Sequence, residues 1–321
     1  MAGPAGPAGP AAPDEGVVAG VGAARSDVVA VALERDGLVV TGSDAVSFLQ
    51  GQVSADVSSL AVGDSAWSLL LEPQGKVAAW LRITRTADAE LFVDVDAGWG
   101  ESTLARLRRF LLRVDVAVEP VRRRGLALVG PRAADVVGGA SGAELSLAVD
   151  RRGLAGVDLF GPVDGPAPEP PEGVQRVGPE VLEVLRIEQG WPVMGRELDA
   201  STIPAEAGAW LIDTSVSFTK GCYTGQELVA RVHHRGDNVP RHLRGLVIDG
   251  AVLPSPGAPV IAEGVERGAV TSAVVSPTLG GVPVALAMVH RRVELGADVE
   301  FDGATARVVD LPFVAPPPPN L

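Results

Sequence analysis

The sequence predicts an α+β fold with an all-β region at its C-terminal end. Up to about residue 112, apolar strands and helices follow in the order strand, helix, strand, strand, helix. That order is typical of α+β proteins rather than of doubly wound parallel sheets. A second region of strands and helices begins near Leu126. After about residue 243, short strands alternate with turn residues, as in a β-barrel or sandwich.

The chain divides into five stretches. Residues 1–24 are rich in Gly, Pro and Ala and are expected to be disordered. Residues 25–125 form a first α+β unit and residues 126–242 a second, and the two units can interleave. Residues 243–312 form the β region, and residues 313–321 are a Pro-rich tail that is expected to be extended and free.

Each element has a local justification. In the first unit, apolar alternation predicts strands at 28–33, 37–41, 66–71, 77–83 and 91–95, and helical periodicity predicts helices after Ser43 and from Trp99 to about Leu112. In the second unit, the strands are 126–129, 145–149 and 156–160, and a helix at 180–189 begins at Pro179 and ends before Gly190. The later strands are 245–248, 259–261, 268–275, 282–289, 298–301 and 306–309.

The composition of the chain excludes several classes of protein. The chain has 321 residues, 46% of them hydrophobic, and a single cysteine, which excludes an internal disulfide framework and is typical of a reducing compartment. We find no signal-peptide pattern and no apolar run of roughly 18 residues, so we expect a cytoplasmic protein without a membrane partner. The formal net charge of −13 disfavours direct nucleic-acid binding. The basic cluster Arg122 to Arg124 is more typical of a solvated face, although an anionic small molecule could use it.

Four neighbouring residues are the most unusual local feature: Lys220, Gly221, Cys222 and Tyr223. Cys222 is the only cysteine, Tyr223 the only tyrosine, and Lys220 one of only two lysines. Residues 224–227 have the form of a capping box, which places Cys222 just outside a helix N-terminus. The helix dipole and the Lys220 ammonium would both lower a thiol pKa, so Cys222 with Lys220 is the candidate catalytic pair. A buried structural cysteine is the alternative.

A permanent metal centre is not expected. Three of the four histidines, His233, His234 and His242, follow the cysteine motif. Their spacing does not match a closed zinc site. One cysteine also cannot supply the several thiolates of a standard iron–sulfur cluster. A transient or intermolecular ligand role for Cys222 stays open.

The second informative segment runs from Arg186 to Pro192. Taken by itself, Glu188 near a helix end is a solvated carboxylate and Trp191 a packing residue. The dipole slightly disfavours an acid at that end of a helix, which is compatible with a nearby ligand or cation.

The run KGCYTGQE at residues 220–227 resembles the signature of the YgfZ-type folate-binding proteins, relatives of the glycine-cleavage aminomethyltransferase, or T-protein. The segments R-x-E-x-G-x-P at 186–192 and P-x-E-A-G at 204–208, and residues 38–57, are also similar to that family, so the resemblance spans roughly residues 28–310. It implies two ferredoxin-like α+β units and a C-terminal β-barrel around a folate-sized pocket.

The resemblance also implies a cofactor and its site. Tetrahydrofolate or a one-carbon derivative would bind, with Glu188 on the pterin ring through a bidentate, charge-assisted contact. Arg186, Trp191 and Tyr223 are the further candidate cofactor-binding residues.

The first hairpin departs from the T-protein pattern. The T-protein carries a catalytic aspartate there, in a Gly-Gly-x-x-Asp-Asp context, whereas residues 74–80 of this chain contain no acid. YgfZ-type proteins share the Gln-Gly-Lys pattern found here. The resemblance therefore implies that the folate pocket is kept while aminomethyl transfer is lost.

Three hypotheses of function result. The first is a folate-binding accessory protein for iron–sulfur cluster assembly or repair, whose partners are assembly factors or client enzymes such as those that modify tRNA. The second is a folate-dependent one-carbon transferase or demethylase. The third is a binding module in which Cys222 is only structural.

Overall fold

The computed structural model describes residues 14–236, 238–301 and 303–315. The strands of this part of the chain are β1 (Val29–Leu33), β2 (Arg35–Thr41), β3 (Ser65–Leu71), β4 (Val77–Ala87), β5 (Glu90–Asp96), β6 (Ala117–Val121), β7 (Arg123–Val129), β8 (Leu145–Asp150), β9 (Ala155–Val163), β10 (Gln175–Val177), β11 (Arg241–Ile248), β12 (Pro259–Ala262), β13 (Val265–Ser276), β14 (Val282–His290), β15 (Asp298–Phe301) and β16 (Ala304–Val309). The α-helices are α1 (Glu15–Ser26), α2 (Ala45–Gln52), α3 (Gly100–Arg108), α4 (Ala133–Val136), α5 (Pro179–Glu188), α6 (Ala209–Ser215) and α7 (Gln226–His234).

Two five-stranded sheets and a closed six-stranded barrel make up the fold, so the predicted α+β class with a C-terminal β-barrel is confirmed. The first sheet has the order β3-β4-β5-β2-β6, and its neighbouring strands are all antiparallel. Its core includes Leu38, Leu81 and Val93 from the strands, with Leu49 from α2 and Leu107 from α3. These helices cover one face of the sheet.

The second sheet has the order β10-β1-β7-β9-β8, with β1 near its centre. β1 pairs in parallel with β10 and antiparallel with β7. Val29 and Val31 pack in a cluster with residues of α1 and α5, whereas Ala30 packs in a cluster with Ala133 of α4. A strand covered on both faces is apolar at successive positions, which explains the run VAVAL.

The two units interleave. β1 stands before β2 in the chain but lies in the second sheet, between β7 and β10, whereas strands β2 to β6 form the first sheet. Residues 29–33, expected in the first unit, therefore pair with the second unit. The first unit is an insertion between β1 and β7.

The expected disorder of residues 1–24 is wrong for residues 15–24, which belong to helix α1. Asp14 caps this helix by accepting a 2.7 Å hydrogen bond from the backbone N–H of Gly16. Gly20 faces α5 so closely that a Cβ there would lie 2.7 Å from Val181. Gly20, one of the small residues that suggested disorder, allows the two helices to pack tightly. Residues 1–13 lie outside the described residues.

The expectation of a free tail from residue 313 is wrong for Phe313. The backbone N–H of Phe313 donates a 2.9 Å hydrogen bond to the carbonyl of Glu188, and its ring lies against Gly245. Gly245 has no Cβ, which leaves room for the ring. The prolines at 316–319 lie outside the described residues.

The C-terminal strands form a closed barrel with the order β11-β14-β13-β12-β15-β16. Closure comes from β11, which pairs antiparallel with both β14 and β16. Leu246, Val260 and Phe301 are among the buried residues of its interior. Strand β13 also carries Ser272 and Ser276, which contact α5 and attach the barrel to the second unit.

No helix within residues 14–236, 238–301 and 303–315 has both the length and the apolar character needed to cross a membrane.

Candidate functional site

Two adjoining cavities lie where the two sheets meet. The tryptophan cavity has a volume of about 520 Å³, and its lining includes Trp67, Arg151, Glu183, Arg186 and Trp191. The second cavity, of about 930 Å³, is lined by the β1–β2 connection, the start of α3 and the segment from Pro120 to Gly125. Residues 32–35 and Ala97 line both cavities. Each volume lies within the range of about 300–1,000 Å³ that small-molecule sites occupy.

Arg186, a predicted cofactor-binding residue, lines the tryptophan cavity from helix α5. Its Nε and Nη2 each donate a 2.7 Å hydrogen bond to Glu183, and its Nη1 lies 3.2 Å from Glu197. Burial acts to lower the pKa of Arg186, but the charges of Glu197 and Glu183 outweigh it and raise that pKa. The guanidinium is therefore a fixed cation at the cavity wall.

Glu183 lies on the same wall, and about a third of its side chain is exposed. Burial acts to raise its pKa, but the hydrogen bond and charge of Arg186 and the charge of Arg196 outweigh burial and lower it. Glu183 is thus an ionised acceptor that a bound molecule can reach. Sequence reasoning did not select it, because an acid on a helix face is ordinarily solvated.

Four tryptophans cluster at the cavity. Trp67 and Trp80 are stacked with ring centroids 4.6 Å apart, and Trp80 and Trp191 are 4.8 Å apart. Trp210 lies 5.2 Å from Trp191. Trp67 and Trp191 line the cavity, so the predicted site residue Trp191 is positioned there together with Arg186. Large flat side chains of this kind suit the faces of an aromatic ligand.

A buried network of three arginines and three aspartates adjoins the cavity. Arg82 Nε and Nη1 lie 2.9 Å from Asp94 and Asp158, and both Arg82 and Asp94 are fully buried. Arg151 Nη2 lies 2.6 Å from Asp158, and Arg35 pairs with Asp94 and Asp96. Burial acts to raise the pKa of Asp158, but the charges of Arg151 and Arg82 outweigh it and lower that pKa. The network joins β4, β5 and β9 across the two sheets.

Sequence reasoning missed this network, although two of its members carry a local signal. Arg82 and Asp94 stand at buried positions in otherwise apolar strands, where a charge is expensive unless it is paired. Cross-strand neighbours Arg82 and Asp94 are in register in the first sheet. Asp158 has no such signal, because it comes from the other sheet.

Glu188, the predicted pterin ligand, lies in a different place. Its buried carboxylate accepts hydrogen bonds from Ser276 Oγ at 2.5 Å, Thr278 Oγ1 at 2.8 Å and the Thr278 N–H at 3.3 Å. Arg25 Nη2 lies 2.5 Å from its other side. Glu188 lines neither cavity. It connects α1, α5 and the barrel, and the pterin contact stays a prediction.

Cys222 is exposed, on the loop before helix α7. The predicted capping box does not form. The helix begins at Gln226, its N-cap is Gly225 with a φ of 83°, and no side chain caps the helix. The Gln226 side chain instead accepts a 3.2 Å hydrogen bond from the N–H of Tyr223. Cys222 thus lies four residues before the first helical residue, farther from the dipole than the sequence predicted.

Lys220 binds backbone carbonyls of α2 and of the residues after it. Its Nζ donates 2.7 Å hydrogen bonds to the carbonyls of Gln50, Val53 and Ala55. These contacts orient the ammonium toward the end of α2 and fix the loop that carries Cys222. Partial burial lowers the pKa of Lys220 to about 8, against the opposing charge of Asp56.

Tyr223, a predicted cofactor-binding residue, is buried in a cluster with Trp80, Trp191 and Val229. The Lys220 Nζ lies 5.2 Å from its ring centroid. Burial raises the pKa of Tyr223 to about 12. Tyr223 lines neither cavity, but its cluster also contains the cavity residue Trp191.

Two sequence motifs meet at a glycine contact. Gly75, in the turn of the β3–β4 hairpin, has a φ of 79°, and a Cβ there would lie 2.4 Å from Leu228 Cβ. A Cβ on Gly225 would lie 2.6 Å from the carbonyl of Glu72 and 3.3 Å from Gly75 Cα. Both positions therefore require glycine, and the Gln-Gly-Lys hairpin packs directly on the cysteine motif.

Comparison with known proteins identifies the family. The GCVT N-terminal domain model matches residues 15–150, and the model of the glycine cleavage T-protein C-terminal barrel domain matches residues 241–315. An aminomethyltransferase of Moorella thermoacetica is 30% identical over 315 residues, covering 87% of this chain and 84% of that protein. The chain belongs to the aminomethyltransferase family.

Other relatives have a similar sequence identity to this chain. An aminomethyltransferase of Chromobacterium violaceum is 30% identical over 86% of this chain and 82% of its own length. An uncharacterized protein of Haemophilus influenzae is 28% identical over 62% of this chain and 66% of that protein. The crystal structure of glycine cleavage system aminomethyltransferase T from Bartonella henselae has a TM-score of 0.79 at 24% identity, covering 94% of this chain and 90% of that one. That likeness shows the shared fold.

The first hairpin of this aminomethyltransferase-family chain offers no carboxylate at residues 74–80. Gln74 and Lys76 are exposed beside the buried Gly75. Glu72, just before the turn, lies 3.8 Å from the buried Arg106. No group of three His, Cys, Asp or Glu suited to a metal ion occurs within the described ranges.

Proposed function

We propose that this protein binds a reduced folate in the tryptophan cavity. The observation that carries the proposal is that Arg186 and Trp191, selected from the sequence, line one cavity of about 520 Å³ together with Trp67 and Glu183. A pterin ring presents flat faces and an edge of N–H donors. The tryptophans suit the faces, and the ionised Glu183, held by Arg186 at 2.7 Å, suits the edge.

Two glutamates of helix α5, Glu183 and Glu188, are candidates for the contact with the pterin ring. Both carboxylates already accept hydrogen bonds, Glu188 from Ser276 and Thr278 and Glu183 from Arg186 and Arg196. Glu188 is fully buried and lines neither cavity, whereas about a third of the Glu183 side chain is exposed at the tryptophan cavity. We therefore assign the pterin contact to Glu183 in this proposal.

Calorimetric titration with tetrahydrofolate tests this assignment. Glu183→Ala should weaken binding by about 1.5–3 kcal/mol, the range for a lost hydrogen bond to a charged group. Glu188→Ala should leave the affinity of the folded protein unchanged and lower its unfolding free energy instead, because Arg25 loses its partner. The reverse pattern would return the pterin contact to Glu188.

We further propose that Cys222 serves iron–sulfur cluster assembly or repair, in a YgfZ-type accessory role in the cytoplasm. Three observations support this. Cys222 is exposed, its loop is held by Lys220 and Gly225, and the hairpin packed against that loop has no acid for amine chemistry. A thiolate is the soft ligand that such clusters use. Client enzymes, including those that modify tRNA, are the partners in this proposal.

Complementation in cells that lack the protein tests the role of Cys222. Iron–sulfur enzyme activity should fall in those cells, and Cys222→Ala should fail to restore it although it folds and binds folate. Gly221→Ala, which meets no atom within 4 Å, is the matched loop control and should restore it. Full restoration by Cys222→Ala would make the thiol structural.

A folate-dependent one-carbon transferase or demethylase is the second candidate, favoured by the relatives named aminomethyltransferase at 30% identity. The purified protein should show no aminomethyl transfer from the lipoyl carrier to tetrahydrofolate, since residues 74–80 contain no acid. Transfer at an enzyme-like rate would favour this candidate over the accessory role.

A further inference from the structure

Two arginines share the carboxylate of Glu183 at the wall of the tryptophan cavity. Arg186 donates from Nε to Oε2 and from Nη2 to Oε1, each at 2.7 Å. Arg196 donates from Nη1 to Oε1 at 2.5 Å. Each carboxylate oxygen can accept about two hydrogen bonds. Oε1 is therefore fully occupied, whereas Oε2, which accepts one bond within the described part of the chain, has room for one more.

The two arginines are held to very different degrees. The Arg186 side chain is only 6% exposed, donates a 2.7 Å hydrogen bond to Ser272 and lies 3.2 Å from Glu197. The Arg196 side chain is 48% exposed, and Glu183 is its one hydrogen-bond and ion-pair partner among the described residues. Water and salt screen an ion pair that is exposed to this degree, so it contributes little. Arg196 can therefore leave Glu183 far more easily than Arg186 can.

The ring edge of a pterin needs more acceptor sites than Glu183 has available. That edge presents two N–H donors side by side, one on the ring and one on the amino group. A contact with both donors requires one acceptor site on each carboxylate oxygen. Oε2 offers such a site, but Oε1 offers none while it accepts from both Arg186 and Arg196. One arginine has to yield, and the exposed Arg196 is the one that can.

We propose that Arg196 competes with the ligand for Glu183 and leaves Oε1 when a ring with two adjacent N–H donors binds. This inference rests on the proposed folate binding and names the kind of ring edge that displaces Arg196. Both residues line the tryptophan cavity, so the exchange takes place where the ring would lie. The guanidinium of Arg196 passes into water, while Arg186 keeps its bonds and holds the carboxylate in place. A ring edge with a single donor uses Oε2 alone and leaves Arg196 bound.

The test compares tetrahydrofolate with its 2-desamino-2-methyl analogue, which keeps the ring N–H and lacks the amino donor. Calorimetry gives the ratio of the two affinities, tetrahydrofolate over analogue. Arg196→Met frees Oε1, so this ratio should rise by about 2- to 5-fold, the effect of removing one exposed ion pair. Both ligands carry the same glutamate tail, so any effect of the lost charge on the tail cancels in the ratio.

Arg176→Met is the matched control. Arg176 is 50% exposed, pairs with Glu169 and lines neither the tryptophan cavity nor the second cavity. Its removal should leave the affinity ratio unchanged.

A second measurement uses the wild-type protein and does not depend on the folding of a variant. Salt weakens an exposed ion pair, so the affinity ratio of wild-type protein should rise as NaCl increases from about 0.05 to 0.5 M. The ratio of Arg196→Met should stay constant over the same range, because the competing guanidinium is gone.

The outcomes separate this inference from the function on which it rests. Failure of wild-type protein to bind tetrahydrofolate overturns both. If tetrahydrofolate binds but the affinity ratio does not rise in Arg196→Met, the role of Arg196 alone is overturned. Weakening of both ligands by the same factor leaves the ratio unchanged, and Arg196 would then attract the ligand instead of competing with it. A wild-type ratio that is constant in salt also contradicts the competition.

Discussion

Around the tryptophan cavity, charged side chains pair with one another inside the protein, whereas at the Cys222 loop Lys220 and two glycines fix the backbone and the Cys222 side chain is exposed. The cavity network contains the buried residues Arg82, Asp94, Arg151 and Asp158, with the less buried Arg35 and Asp96 at its edge. The loop is held by Lys220, through three carbonyls, and by close packing at Gly225. Ion pairs therefore fix side chains at the cavity, whereas contacts to carbonyls and glycines fix the backbone of the loop.

The largest expected effect comes from breaking the cavity network. Arg82→Met leaves Asp94 and Asp158 without a fully buried partner, so the unfolding free energy should fall by about 3–5 kcal/mol. Urea denaturation measures the change. Arg307→Met removes an exposed pair with Asp298 and should cost less than about 1 kcal/mol. Equal effects of the two substitutions would contradict the distinction between buried and exposed pairs.

A smaller effect is expected from the glycine contact. Gly225→Ala should lower the unfolding free energy by about 1–3 kcal/mol, since the residue has a positive φ and a Cβ would meet the carbonyl of Glu72 at 2.6 Å. Gly221→Ala, in the same motif, should change it by less than about 0.5 kcal/mol. Thermal denaturation of the two variants measures the contrast. A neutral Gly225→Ala would mean that the hairpin and the cysteine motif do not pack as described.

The smallest expected effect is the pH dependence due to Lys220. Its pKa in the folded protein is about 8, below the ordinary 10.5, so between these values the unfolded chain holds the proton more often. The unfolding free energy of wild-type protein should therefore rise, relative to Lys220→Met, as the pH increases from about 8 to 10.5. Lys76→Met, at the other and exposed lysine, is the control and should run parallel to wild type. If the unfolding free energies of wild-type protein and Lys220→Met change in parallel with pH, the Lys220 ammonium is in contact with water.

The parts predicted correctly from the sequence depend on local signals. Helix α5 was predicted because Pro179, Gly190 and its periodic apolar residues are neighbours in the chain. The partners of Lys220 lie 165–170 residues away, and Arg82 and Asp158 are 76 residues apart, so no local pattern reveals either contact. Arg186 and Trp191 were predicted as site residues from a sequence motif, and both line the tryptophan cavity. Glu188 came from the same motif, but its surroundings are set by the distant barrel residues Ser276 and Thr278.

The place of β1 has a consequence for the growing chain. Val29 pairs with Val129, and every residue of the first sheet's strands is made between them. At roughly 5–20 residues per second, about 5–20 s of synthesis separate β1 from its partner β7. During that interval the inserted unit, β2 to β6, can close its own sheet, while the apolar run VAVAL waits without a partner. The pairing of β1 therefore depends on a part of the chain that is made after the whole of the first sheet.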